Sequence, residues 1–142
     1  MPVHTEPTRL LVVRHGETDW NVQTRIQGYT DIPLNARGEA QARHLATRIA
    51  ELQDLEPVRA VYASDLMRAW TTADALAQAC GLTVRTDLDL RERQFGHFEG
   101  LTFAQIETDH PEDARRWRER DPAWAPRGGE LSLIHISEPT RH

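Results

Sequence analysis

The clearest apolar pattern opens with four consecutive residues, Leu10-Leu11-Val12-Val13. A short unbroken run of this kind reads as a buried strand of a parallel sheet, here residues 9–13. Residues 14–35 are rich in Gly, Asp, Asn, Thr and Pro and read as loop. Asn35 then suits the N-cap of a helix, because Ala42, Leu45, Ala46, Ile49 and Leu52 recur at helical spacing. Pro57 breaks that helix, and residues 58–63 form a second apolar strand. Ser64 or Asp65 is expected to cap the next helix. Its stripe is Leu66, Ala69, Ala73, Leu76, Ala77 and Cys80, and Gly81 ends it. Residues 82–85 predict a third strand, and the charged, glycine-punctuated stretch 91–100 reads as irregular. Thr102 starts a short helix, Pro111 fits the first turn of another reaching about Arg120, and residues 121–130 are loop. Strand–helix–strand–helix–strand predicts an α/β fold with a mostly parallel sheet and no internal repeat.

Composition narrows the class. The chain has 142 residues, 39% of them hydrophobic and 27% charged, as in ordinary globular proteins. Its apolar runs are too short to cross a bilayer, and the N-terminal sequence lacks the basic-then-apolar pattern of a secretory signal. The single cysteine, Cys80, rules out an intramolecular disulfide and fits the apolar stripe of its helix. These features predict a cytoplasmic protein without a membrane partner. A net charge of -5 argues against nucleic acid as a partner. All 17 basic residues are arginine, and all alanines lie before Pro126. From Leu131 onward the composition changes.

Three segments carry chemistry. Arg14-His15-Gly16-Glu17-Thr18 follows the first predicted strand, where parallel sheets place their ligand sites. There a histidine is exposed for reaction, an arginine can clamp a phosphate, and a glycine admits close approach. Ser64-Asp65-Leu66-Met67-Arg68 lies at a second strand end, where a helix N-terminus favours an anion. Arg68 sits unfavourably in that first turn unless an anion offsets it, with an Arg68–Asp65 pair on a solvated helix as the lesser alternative. Glu92 lies between Arg91 and Arg93. It suits either a surface ion pair or a proton donor to a leaving oxygen. Taken together, a neutral imidazole, two arginines and an acid meet the needs of phosphoryl transfer through a phosphohistidine. His44, His97 and His110 lie in separate segments without ligand spacing, so no metal site is expected. Trp70, Trp117 and Trp124 are expected to pack at a core or rim, and the charges of residues 112–121 to form a solvated helix face.

These motifs resemble those of the histidine phosphatase superfamily, the phosphoglycerate-mutase-like family. The likeness runs over residues 8–130. It continues through Trp20-Asn21, Gln27-Gly28, Asp31-Ile32-Pro33-Leu34, Gly38 and Gln41-Ala42, then the Ser64–Arg68 and Glu92 segments in order. The resemblance implies a three-layer α/β/α fold with a mostly parallel central sheet. It implies His15 as the phosphorylated nucleophile, Arg14 and Arg68 as phosphate clamps, and Glu92 as general acid and then base. Asn21, Arg25, Gln27 and Gly28 are implied as substrate- or phosphate-binding loop residues, with no metal and no organic cofactor. A small phosphorylated metabolite is the implied partner.

The family holds phosphatases and mutases. Its mutases carry a lysine one residue beyond Glu-Gly-Leu-X and an Arg-Arg pair after a tryptophan. This chain has Phe103 after Thr102, and Trp117-Arg118 is followed by Glu119. Losing two cations that would hold a second anionic group favours hydrolysis of a phosphomonoester. Mutase-type transfer and a non-catalytic phospho-ligand binder are the alternatives. The family also uses a second, late histidine followed by glycine, a pattern that His135 in Leu-Ile-His-Ile does not match. Residues 131–141, LSLIHISEPTR, resemble an in-frame translation of a transposase-based sequencing adapter. Residues 1–130 are therefore expected to be the N-terminal part of one domain, incomplete at its C-terminus, with a non-native tail at 131–142. Such a chain is expected to be poorly soluble and nearly inactive by itself.

Overall fold

The computed structural model describes residues 7–131, so the tail from residue 132 onward, with His135, lies outside the described residues. The elements run α1 (Asp19–Val22), α2 (Ala36–Leu52), β1 (Val61–Ala63), α3 (Met67–Ala79), β2 (Val84–Thr86), α4 (Phe103–Asp109) and α5 (Pro111–Arg118). Single 3-10 turns stand at Leu88–Leu90 and Gly96–Phe98. β1 and β2 pair in parallel, Val61 opposite Val84 and Ala63 opposite Thr86. The α3 crossover between them makes a βαβ unit, and α3 contacts both strands as well as α2. This is an α/β fold with a parallel sheet.

Local chemistry explains most boundaries. Asn35 caps α2 by accepting from the Gly38 N–H at 2.8 Å. Thr18 and Asn21 form a capping box on α1, and Thr102 and Gln105 form another on α4. Gly81 takes φ +68 just beyond α3, the left-handed turn that a side chain would resist.

Three expectations need correction. Residues 9–13 form no strand. Leu10, Leu11 and Val12 are 82%, 67% and 92% exposed, and no described segment pairs with them. A continuous apolar run records a capacity for burial, but a parallel strand also needs neighbours along its edges and cover on its faces. Ser64 and Asp65 do not cap α3. Its N-cap is Leu66, and the Met67 N–H is met at 2.8 Å by Asp31 Oδ1 from the preceding loop. Asp65 does not pair with Arg68 but grips Arg91, with Nε to Oδ1 at 2.6 Å. That contact outweighs the opposing effect of burial and holds the Asp65 carboxyl below its usual range.

Two packed regions support the loops. In the first, α2 buries Gly38, Ala42 and Ala46, while α3 buries Arg68, Thr72, Ala73, Leu76 and Ala77. In the second, Ile26, Phe98, Ile106 and Ala114 form a core flanked by Trp117 and Trp124. Phe98 and Trp117 stand 5.2 Å apart between ring centroids. Cys80 is half-buried, its Sγ 3.5 Å from Gln53 Oε1.

Candidate active site

The His15 loop is seated by small residues. A Cβ on Gly16 would lie 2.5 Å from the Gly38 carbonyl oxygen, and one on Gly38 would lie 2.1 Å from that of Glu17. Only two glycines permit this approach of the loop to the first turn of α2. Gln41 Oε1 accepts from the Glu17 N–H at 2.9 Å, and Asn35 donates to Glu17 Oε1 at 3.1 Å. The Gly16 N–H donates to Thr72 Oγ1 at 3.0 Å, while that hydroxyl donates to the Arg68 carbonyl at 2.7 Å. Thr72 thus ties the histidine loop to α3, one helical turn beyond Arg68. It was absent from the sequence-derived site, although its i+4 position could have pointed to it.

His15 Nδ1 lies 2.7 Å from the Gly16 carbonyl oxygen. A carbonyl only accepts, so Nδ1 carries the proton and Nε2 keeps its lone pair. Burial is the largest effect on this imidazole and holds its pKa below the usual 6.5, aided by the charges of Arg68 and Arg14. The Gly16 carbonyl and Glu92 act in the opposite direction. A neutral ring with a free Nε2 is the nucleophilic form. A cavity of about 170 Å³ opens beside it, lined by Arg14, His15, Gly16, Gln41 and Thr72 together with Ala42 and Leu45. A larger cavity of about 470 Å³ lies elsewhere, between α4, α5 and Arg93.

Arg68 is 1% exposed despite its charge. Its guanidinium donates to the Thr30 carbonyl at 2.7 Å, to the Gly28 carbonyl at 2.6 Å and to Glu92 Oε2 at 3.2 Å. Buried charge is tolerated only when paired and hydrogen-bonded, and Arg68 has both. Its first-turn position, unfavourable by helix dipole alone, is compensated by two carbonyls and a carboxylate. The Glu92 side chain is 45% exposed and therefore reachable from solvent.

The structure brings His15, Arg14, Arg68 and Glu92 into one electrostatic neighbourhood. The other predicted residues serve the loop around it. Asn21 completes the capping box of α1, its Oδ1 accepting from the Thr18 N–H at 2.9 Å, and buried Gln27 accepts from Thr18 Oγ1 at 2.7 Å. Arg25 donates to the Gly100 carbonyl and to Gln23 Oε1. Gly28, at φ +55, offers its carbonyl to Arg68, and a Cβ there would meet the Glu99 carboxylate at 2.8 Å.

Sequence reasoning also missed Glu99. Its Oε1 accepts from the Thr30 N–H and hydroxyl at 2.8 and 2.6 Å, and its Oε2 from the Phe95 and Gly96 N–H groups at 3.0 and 3.1 Å. Four donors on one carboxylate lock the segment after Glu92 to the loop that holds Arg68. Glu99 opens the Glu-Gly-Leu stretch, a local mark that gives no hint of these donors. His97 and His110, distant in sequence, also meet, with ring centroids 5.2 Å apart.

The α/β scaffold thus presents a buried arginine, an adjacent carboxylate and a neutral histidine after Arg14, groups whose chemistry suits an anionic phosphoryl ligand. The model of the histidine phosphatase superfamily (branch 1) matches residues 10–138, and the chain belongs to that family. A glucosyl-3-phosphoglycerate phosphatase of Mycobacterium tuberculosis is 45% identical over 133 residues, covering 94% of this chain and 57% of its own length. A probable phosphoglycerate mutase of Escherichia fergusonii is 43% identical over 108 residues, covering 76% and 48%. The solved mycobacterial glucosyl-3-phosphoglycerate phosphatase in complex with VO3 superposes with a TM-score of 0.73 at 37% identity, over 87% of this chain and 63% of that one. The chain thus spans about half the length of the curated relatives it matches.

Proposed function

We propose that this sequence belongs to a phosphatase that hydrolyses a small phosphomonoester through a phosphohistidine on His15. The observation that carries the reading is Arg68. It is a fully buried guanidinium held by two carbonyls, with Glu92 on its remaining side and the His15 ring within its field. In this reading Arg14 and Arg68 bind the equatorial oxygens of the transferring group and offset charge in the transition state. His15 Nε2 attacks phosphorus as the bond to the leaving oxygen breaks. Glu92 gives that oxygen a proton, then takes one from the water that attacks the phosphohistidine and releases phosphate. Asn21, Arg25, Gln27 and Gly28 shape the phosphate-side loop. The similarity to a protein named for glucosyl-3-phosphoglycerate supports a small phosphorylated metabolite as substrate. Among the described residues no helix is long and apolar enough to cross a membrane, and we place the enzyme in the cytoplasm.

The mutase reading keeps a specific support in relatives such as the probable mutase at 43% identity. Against it stand Phe103 and Glu119 where a cation would hold a second anionic group. One experiment separates the two. The segment of the mycobacterial phosphatase that lies beyond the matched region is fused after Glu130. The chimera is then supplied with p-nitrophenyl phosphate or with 3-phosphoglycerate plus 2,3-bisphosphoglycerate. Hydrolysis with acid-labile phosphate on His15, lost in His15→Ala, is the expected result. Rapid mutase turnover with negligible hydrolysis would overturn the phosphatase reading. Binding of phosphorylated ligand with no phosphohistidine would leave only the non-catalytic one.

A further inference from the structure

We propose a divalent transition-metal site formed by His97, His110 and Asp113, away from the phosphoryl-transfer site. One ligand atom from each lies within 4.8 Å of the others, and all three residues are partly buried. His97 comes from the 3-10 turn Gly96–Phe98, His110 from the junction of α4 and α5, and Asp113 from the first turn of α5. His97 Nε2 is 3.3 Å from Asp113 Oδ2. Zinc bonds of about 2.0–2.1 Å in a tetrahedron set neighbouring donor atoms about 3.3–3.4 Å apart. Two of the three donors therefore already stand at that spacing, and a ring nitrogen of His110 lies within 4.8 Å of both.

The second ring nitrogen of His97 supplies an independent reason. Nδ1 lies 3.1 Å from the Arg127 carbonyl oxygen, which also accepts the His97 backbone N–H at 2.9 Å. The carbonyl only accepts, so Nδ1 carries a proton and Nε2 is left facing a carboxylate oxygen. A lone pair against a carboxylate is repulsive, and either a second proton or a cation must lie between them. A histidine whose Nδ1–H is held by a backbone carbonyl, with Nε2 aimed at a carboxylate, has the outer-shell support typical of a metal ligand. The ring of fully buried Phe98 covers one side at 4.7 Å. Two imidazoles and one carboxylate select zinc-like ions over magnesium or calcium and leave one position for water. Such an ion would staple the Gly96 turn to the α4–α5 junction. Through Glu99 it would also steady the Thr30 loop that holds Arg68.

The site is tested on the metal-stripped 142-residue chain with Co2+ as probe and circular dichroism as the check on folding. We expect tetrahedral ligand-field bands at one equivalent, displaced by Zn2+, together with a Tm raised by Zn2+ and unmoved by Mg2+. His110→Ala and Asp113→Asn, the latter preserving volume, are each expected to weaken binding at least about tenfold, the lower end of the loss seen for outer-shell partners. His44→Ala and Cys80→Ser should leave binding unchanged. Absence of the bands at millimolar Co2+ would overturn the proposal. So would bands that persist in both site variants. Neither readout depends on phosphatase activity.

Discussion

His15 is the residue on which environment acts most visibly. Burial, then the charges of Arg68 and Arg14, hold its pKa below 6.5, while the Gly16 carbonyl and Glu92 pull the other way. An imidazole NMR titration of the chain is therefore expected to place His15 below an exposed histidine. Arg14→Gln should move that value toward neutrality, and Glu92→Gln should move it further into acid. A His15 that titrates at or above 6.5 would contradict the buried neutral ring. The stability consequence has a definite sign. The unfolded state binds the proton more readily, so stability falls as pH drops below about 6.5 and levels out beneath the folded-state value.

Among the elements, the contact between the His15 loop and the first turn of α2 is a tight constraint. Gly38→Ala adds helix propensity worth up to about 1 kcal/mol. It also places a Cβ 2.1 Å from a backbone oxygen of Glu17. Overpacking typically costs about 1–3 kcal/mol, and backbone cannot rotate away as a long side chain can. A net loss of stability is expected, with Tm lower by a few degrees. The His15 loop should also be displaced, seen as changed Gly16 and Glu17 amide resonances. An unchanged or raised Tm would show that the loop yields without cost. α2 and α3 were legible because their apolar residues recur at helical spacing and Asn35 and Gly81 mark boundaries. The α3 cap was not, because its acceptor, Asp31, belongs to a loop 36 residues earlier.

For the molecule as a whole, the exposed apolar run 10–13 dominates behaviour. It is β-prone, without proline, and unpaired among the described residues. Such a segment is a template for edge-to-edge association. The chain is expected to bind apolar dyes and to self-associate. The double substitution Leu11→Asp and Val12→Asp should reduce both, as measured by dye fluorescence and light scattering. Unchanged association would place the sticky surface elsewhere, with Leu55, Val22 and Phe103 the next exposed candidates.

By itself the sequence determined the α/β class and helices α2 to α5, though not α1, which lies in a stretch that reads as loop, and it supplied the residues proposed for phosphoryl transfer. Each of these is encoded locally, by periodicity, by capping chemistry or by a contiguous motif. Tertiary structure alone decided what those residues touch. It gave Arg68 to two carbonyls and Glu92 rather than to Asp65, made Thr72 and Glu99 the ties between loops, and left the first apolar run exposed. It also brought His97 to His110 and Asp113, which stand three residues apart at the start of α5. Hydrogen bonds and burial depend on partners distant along the chain, and no local pattern names the partner.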